Sequence, residues 1–174
     1  MGTTTTANEL PQGKQTKLAL YVTAMEAYER WRAEPERVKV IDVRTPEEYI
    51  FLGHATMAWL VPVAVQKYEW DAEKARFPMA PLPDFVSRMQ GIAKATDVLL
   101  LMCRSGGRSA IAVNMLAQAG FTQVYQIVDG FEGDLVDDPE STFKGQRMRN
   151  GWKNAGCPWT YAVAREHMVL STKV

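Results

Sequence analysis

Cys103 stands where an apolar run ends and a glycine turn begins. The run is Val98-Leu-Leu-Leu-Met102, and the turn is Cys103-Arg104-Ser105-Gly106-Gly107-Arg108-Ser109. Gly106 and Gly107 have no Cβ, so both can take positive φ and let several backbone N–H groups converge on one point. A helix follows, and its N-terminus brings the positive end of a dipole to that point. A thiolate at Cys103 is favoured by the amides, the dipole and the Arg104 and Arg108 guanidinium groups together. The chemistry this suits is nucleophilic attack through sulfur on an anionic substrate. The plainer reading makes Cys103 a small core hydrophobe at a strand end. A structural thiol, however, requires neither the two arginines nor the two glycines found within five residues of it.

Such a cysteine must be held by the elements around it. Val98–Met102 has strand length and no polar phase, which suits a strand buried on both faces. From Ala110 the sequence AIAVNMLAQAGF reads as a helix closed by Gly120. Earlier in the chain, Leu18–Val22 reads as a short first strand. Thr23 with Glu26 forms a capping box for a helix to about Ala33. Val38–Val43 is a β-branched strand, and Thr45-Pro-Glu-Glu48 repeats the cap for a short helix ending near Leu52 at Gly53. Met57–Val61 is read as a strand stopped by Pro62, Pro83-Asp84 to about Lys94 as a helix, and Gln123–Val128 as a strand ended by Asp129-Gly130. Strands and helices alternate, so the expected fold is α/β, with an open, mainly parallel sheet and helices on both faces. Cys103 then lies at the carboxyl end of a strand, where open sheets of this type place their ligands.

Other residues invite roles. Asp42 and Arg44 lie at another strand's carboxyl end. The reading preferred here has Asp42 accepting loop amides and Arg44 pairing with Glu47 or Glu48, over one in which Arg44 faces the substrate. His54 follows a glycine turn and is read as structural, because an ionised thiolate needs no general base. Residues 63–83 carry Tyr68, Trp70, Phe77 and several prolines without clear periodicity, a long connection for a compact domain. Its aromatic residues suit either a cover over the site's mouth or a satellite cluster. Residues 132–149 collect acidic and then basic side chains; the carboxylates lack the alternation of a calcium loop, so a solvated insertion is expected. Asn150–Trp159 should close the domain with Trp152 and Trp159 packed, and Tyr161–Leu170 should add a helix or tail.

The loop CRSGGRS after an apolar strand resembles the active-site loop of the rhodanese-like sulfurtransferases. Ile41-Asp-Val-Arg-Thr-Pro-Glu-Glu-Tyr49 with Gly53-His54 is similar to that family's amino-terminal motif, and Asn150-Gly-Trp-Lys-Asn-Ala-Gly-Cys-Pro-Trp159 to its carboxyl-terminal one. The resemblance implies a five-stranded sheet and a single domain over residues 18–160, preceded by a flexible lead at 1–17 and followed by a helix or tail at 161–174. It implies that sulfane sulfur passes from thiosulfate or a similar small anionic donor to a thiol or cyanide through a Cys103 persulfide, with Arg104, Ser105, Gly106, Gly107, Arg108 and Ser109 as the binding loop. A sulfur carrier loaded by partner proteins shares this chemistry, and a protein acceptor fits both readings. A cysteine-dependent phosphatase or arsenate reductase is less well matched. Those enzymes place five residues between cysteine and arginine, and here four separate Cys103 from Arg108.

Composition narrows the field further. With 20 basic and 20 acidic residues the net charge is zero, so nothing argues for nucleic acid or an anionic membrane surface. Two cysteines and two histidines without metal-ligand spacing give no expectation of a metal site or a cofactor. Cys103 and Cys157 are expected as free thiols, since a permanent disulfide would silence the loop. No apolar run of about eighteen residues is present, so no membrane span is expected. Met1–Gln15 is polar and threonine-rich, without the pattern of a secretory signal. The compartment stays open, the cytoplasm being preferred to an exported mature form.

Overall fold

A computed structural model describes residues 9–172; residues 1–8, which make up much of the expected lead, and 173–174 lie outside the described residues. In chain order the elements are β1 (Tyr21–Val22), α1 (Ala24–Ala33), β2 (Val38–Asp42), α2 (Pro46–Phe51), β3 (His54–Ala55), β4 (Trp59–Leu60), β5 (Ala64–Gln66), β6 (Met79–Pro81), α3 (Phe85–Gln90), β7 (Val98–Met102), α4 (Gly107–Gln118), β8 (Val124–Ile127) and β9 (Trp159–Thr160). Both threonine caps form as read. Thr23 and Thr45 each accept the amide of the glutamate three residues on, and that glutamate's carboxylate accepts the threonine's own amide.

A five-stranded sheet in the order β1-β8-β7-β2-β4 forms the frame, and every pairing in it is parallel. β7 lies at its centre, in register with β2 from Val38–Val98 to Asp42–Met102. The side-chain alternation of β2 and β7 builds two cores. Val38, Val40, Leu100 and Met102 pack beneath Ala24 and Ala27 of α1. Ile41, Leu99 and Leu101 pack on the other face against Phe85 and Met89 of α3 and Ala112, Val113 and Leu116 of α4. A strand buried on both faces has no polar phase to show. The continuous apolar run before Cys103 has this cause.

Several expected elements change shape. The strand read over Met57–Val61 narrows to Trp59–Leu60 because Ala58 N–H turns back to the Ala55 carbonyl. The helix read to Lys94 ends at Gln90, and the chain turns through Gly91 until Asp97 accepts the Lys94 amide. α4 starts at Gly107, three residues before Ala110, since Ala110 N–H already bonds the Gly106 carbonyl. Residues 63–83, read as irregular, form an antiparallel hairpin in which β5 pairs with β6 from Ala64–Pro81 to Gln66–Met79. The base of the hairpin is tied to the sheet, Val63 N–H donating to the Val43 carbonyl and Leu82 N–H to that of Val63.

The terminal parts also bind the frame. β9 pairs antiparallel with β3, a two-stranded ladder that joins Trp159 and Thr160 to residues 54–55. Trp152 is fully buried and its indole N–H donates to the Pro158 carbonyl. Towards the C-terminus a single 3-10 turn, Arg165–His167, replaces the helix considered for that region. Met168 then bridges to Leu60, and Val169 N–H donates to the Leu60 carbonyl, so this stretch runs beside β4.

Candidate active site

β7 delivers Cys103 to the carboxyl end of the sheet, and the loop that follows is fixed by its backbone. The Cys103 carbonyl accepts from Phe131 N–H at 2.8 Å, and the Arg104 carbonyl from Glu132 and Gly133 N–H at 3.0 and 3.1 Å. Gly130 (φ +66°) permits this approach, because a Cβ there would lie 2.6 Å from the Arg104 oxygen. The chain then turns at Gly106, whose φ is +110° and whose Cβ would meet the Val128 carbonyl at 2.7 Å. Gly107, expected to share the left-handed turn, is instead the first residue of α4, because one reversal at Gly106 is enough to start the helix.

Gly106 is the best-anchored residue of the loop. Its carbonyl accepts from Gln126 Nε2 at 2.8 Å, from Ser109 Oγ at 3.0 Å and from Ala110 N–H at 3.2 Å. Its own N–H, in the preceding peptide unit, donates to Cys103 Sγ at 3.1 Å. Sulfur therefore sits before an oriented amide at the start of a twelve-residue helix. Behind the turn, Lys14 Nζ donates to the Val128 carbonyl at 3.0 Å and pairs with Asp134 at 2.8 Å. Asp129 accepts the amides of Ala24 and Gly151, bracing α1 against the carboxyl-terminal motif; burial raises its pKa against the pull of those amides.

The loop residues do not all face one way. Cys103, Gly106 and Ser109 are buried, Arg104 and Gly107 are exposed, and Ser105 and Arg108 are half-buried. Ser109 Oγ turns inward to Gly106. Arg108 makes a two-pronged pair with Glu48, at 2.6 and 2.7 Å, so its charge is shared with a carboxylate and is not free for the sulfur. Burial opposes ionisation of Glu48, but Arg108 and the Thr45 amide outweigh it and hold the carboxyl below its ordinary pKa.

Arg44 corrects one expectation. It pairs with Asp42, not with Glu47 or Glu48: Nη2 lies 2.7 Å from Oδ2, and Nε lies 3.0 Å from Oδ1. Both side chains are wholly buried, and a charge excluded from water takes the nearest fully enclosed partner. Burial works against the guanidinium charge, yet Asp42 prevails and the Arg44 pKa is raised. Asp42 also accepts the Arg44 amide, as expected of it. The guanidinium stacks 4.2 Å from the centre of the Phe131 ring, beneath the residue whose amide holds Cys103.

His54 is structural in its contacts. Nδ1 donates to the Tyr49 carbonyl at 3.1 Å, and the ring stacks on Tyr49 at 3.7 Å. Burial lowers its pKa. Cys103 and Cys157 are both free thiols, and burial pushes Cys157 up to about 11. Among the described residues no group of His, Cys, Asp and Glu is arranged to hold a metal, and no helix is long and apolar enough to cross a membrane.

Beside the loop, α2 and the hairpin enclose a groove of about 600 Å³, with Arg104 and Arg108 on one wall and Tyr68, Arg76 and Phe77 on the other. The hairpin's aromatic residues thus reach the mouth, and Trp70 meets Phe77 edge-on at 5.1 Å to form a small cluster as well. Gln126, Glu48 and Lys14 were not singled out as parts of the site from sequence. Only Gln126 left a trace there, as a lone amide within the apolar strand Val-Tyr-Gln-Ile-Val.

Comparison with known proteins identifies the family of the chain. A family model described as Rhodanese-like domain matches residues 24–135. A protein named "Thiosulfate sulfurtransferase 16, chloroplastic" from Arabidopsis thaliana is 37% identical over 93 residues, 53% of this chain and 70% of that relative. An uncharacterized protein of Rickettsia conorii is 30% identical over 129 residues, covering 70% of this chain and 82% of its own. Among solved structures, that of Rv0390 from M. tuberculosis superposes with a TM-score of 0.63 at 27% identity, covering 83% of this chain and 98% of the other.

Proposed function

The chain belongs to the rhodanese-like domain family, and from that premise we propose that it is a sulfurtransferase working through a persulfide on Cys103. The observation that carries this reading is the 3.1 Å contact from Gly106 N–H to Cys103 Sγ, within a turn whose carbonyl is anchored from behind. The Cys103 thiolate attacks the outer sulfur of thiosulfate. A new S–S bond forms, the donor's S–S bond breaks, and sulfite leaves with the electron pair. The negative charge then rests on the added sulfur, in front of the amides at the head of α4, which are fixed in place before the reaction begins. Arg104, exposed at the rim, attracts the dianion. In the second half-reaction a thiol or cyanide takes the outer sulfur and Cys103 returns to thiolate. Two half-reactions sharing a covalent intermediate give ping-pong kinetics.

The experiment is intact mass before and after thiosulfate, then after cyanide or dithiothreitol, with Cys103→Ser and Cys157→Ser beside the parent protein. A gain of about 32 Da, reversed by the acceptor and abolished only by Cys103→Ser, is expected. An unchanged mass with Cys103 reduced would sink the thiosulfate reading. A carrier loaded by protein partners is the second reading, favoured by the exposure of Tyr68, Trp70 and Phe77 beside the groove. Turnover with small acceptors alone removes its support.

A further inference from the structure

Gly106 is enclosed by a side chain far from it in sequence. A Cβ on Gly106 would lie 2.7 Å from the Val128 carbonyl oxygen, 3.0 Å from Lys14 Cδ and 3.2 Å from Lys14 Cε. The Lys14 stem therefore packs on the Gly106 Cα where a side chain would stand, while the N–H of the same residue donates to Cys103 Sγ at 3.1 Å. The stem is held at its tip. Nζ donates to the Val128 carbonyl at 3.0 Å and pairs with Asp134 at 2.8 Å, which leaves the lysine side chain 15% exposed. An enclosed lysine gives up much of its rotamer freedom, and these two bonds offset that cost.

Asp134 carries the grip to the other end of the turn. Its N–H donates to Asn150 Oδ1 at 2.7 Å, and Asn150 Nδ2 donates back to Oδ2 at 3.1 Å. One residue earlier, Gly133 N–H donates to the Arg104 carbonyl at 3.1 Å. Lys14 thus touches Gly106 through its stem and the support of Arg104 through Asp134. The segment bearing it is itself tied down. Lys14 N–H closes a 3-10 turn onto the Pro11 carbonyl, Thr16 N–H donates to Tyr21 Oη at 2.9 Å, and Lys17 N–H donates to Asn114 Oδ1 of α4 at 2.8 Å. All of this lies ahead of residues 24–135, the part matched by the family model.

Resting on the Cys103 persulfide reading, we propose that Lys14 is a positioning residue for sulfur uptake, and that the segment around it is a brace that sets the Gly106 N–H against Cys103 Sγ. The Cα on which the stem packs is the one that bears this N–H, so freeing the stem lets the donor swing. A donor preorganised for a charged sulfur loses its value once its direction spreads. Thiosulfate does not meet Lys14, whose Nζ is already taken by Val128 and Asp134. Its effect is on the rate of the bound step and not on capture of the anion.

The test is single-turnover loading of the full chain by thiosulfate, followed by mass well below the Tm of each variant, together with hydrogen exchange at the Gly106 amide. Lys14→Met keeps a stem and loses both tip bonds. Its maximal loading rate should fall about tenfold, with the half-saturating thiosulfate concentration within about twofold of the parent and the Gly106 amide exchanging faster. Lys14→Arg, which can reach both partners, should recover most of the rate. Asp134→Asn frees the ammonium from the other side and should slow loading about threefold, and adding it to Lys14→Met should cost little more. Gln15→Ala, which touches only the Leu10 carbonyl, should load as the parent does. A lower Tm with an unchanged maximal rate, or no recovery in Lys14→Arg, overturns the brace; if Lys14→Met does not fold, an unchanged rate in Asp134→Asn overturns it equally. Unchanged mass in the parent overturns the Cys103 reading instead, and Gly106 exchange then still reports on the brace, so the two failures are distinct.

Discussion

Arg108 and Glu48 lie 60 positions apart in sequence, yet they close on each other at 2.6 and 2.7 Å. The same carboxylate accepts the Thr45 amide at 3.0 Å, so the residue that caps α2 also clamps the first turn of α4. The pair turns a charge that could have faced the sulfur into a strut between two helices.

Glu48→Gln keeps a capping side chain but leaves Arg108 without a counter-charge. It should cost about 2 kcal/mol, or about 4–8 °C in Tm near neutral pH. Because the folded-state pKa of Glu48 lies below its ordinary 4.5, the stabilisation is complete above that value and is lost as pH falls through the folded-state pKa. Thermal melts of parent and variant from neutral to acid should therefore run apart above the ordinary 4.5 and converge only as pH falls through the lowered folded-state pKa. Parallel curves across that range would contradict the assignment.

Gly106→Ala should unseat the loop. A Cβ at φ +110° and 2.7 Å from the Val128 carbonyl forces backbone to move, at a cost of about 1–3 kcal/mol, and sulfur uptake should drop with it. Gly107→Ala meets nothing within 4 Å and sits in helical backbone, so its Tm should stay within about 2 °C of the parent. Denaturation curves for the two variants check the contrast.

Gln126→Leu removes the shortest hydrogen bond to the Gly106 carbonyl and loosens the anchor of the residue whose N–H meets Cys103 Sγ. Thiosulfate loading should slow about tenfold. Ser109→Ala acts on the same carbonyl, so the double variant should lose less than the product of the two single effects. Stopped-time mass spectrometry gives the rates, and a strictly multiplicative result would separate the two side chains.

Cys157 should be chemically silent. With its pKa raised to about 11 by burial and by the nearby Asp129 and Glu29 carboxylates, it remains a thiol at pH 8. Iodoacetamide at that pH should leave Cys157 unlabelled in the folded protein and label it once denatured, as peptide mapping would reveal.

The local features were legible in the sequence. Both threonine capping boxes, the buried run before Cys103 and the Gly120 helix end each depend on residues within one turn of one another, so pattern alone finds them. What was missed is tertiary. Arg44 had acidic neighbours at 47 and 48, and only burial beside Asp42 decides between them. Gln126 reads as an irregularity until the sheet brings β8 under Gly106. The hairpin was hidden because its strands are three residues each, contain a proline and have no fully buried face to make the sequence alternate.

The stretch around Met168 and Val169 has a further consequence, for self-association. By taking the Leu60 carbonyl, Val169 occupies the outer side of β4, and Arg88 fastens this strap through the Val169 carbonyl. An uncovered strand there would present unpaired backbone groups to any other extended chain. A protein cut after Ala164 would keep the cysteine loop but lose this shield, and light scattering on heating should report aggregation well before the intact chain shows it.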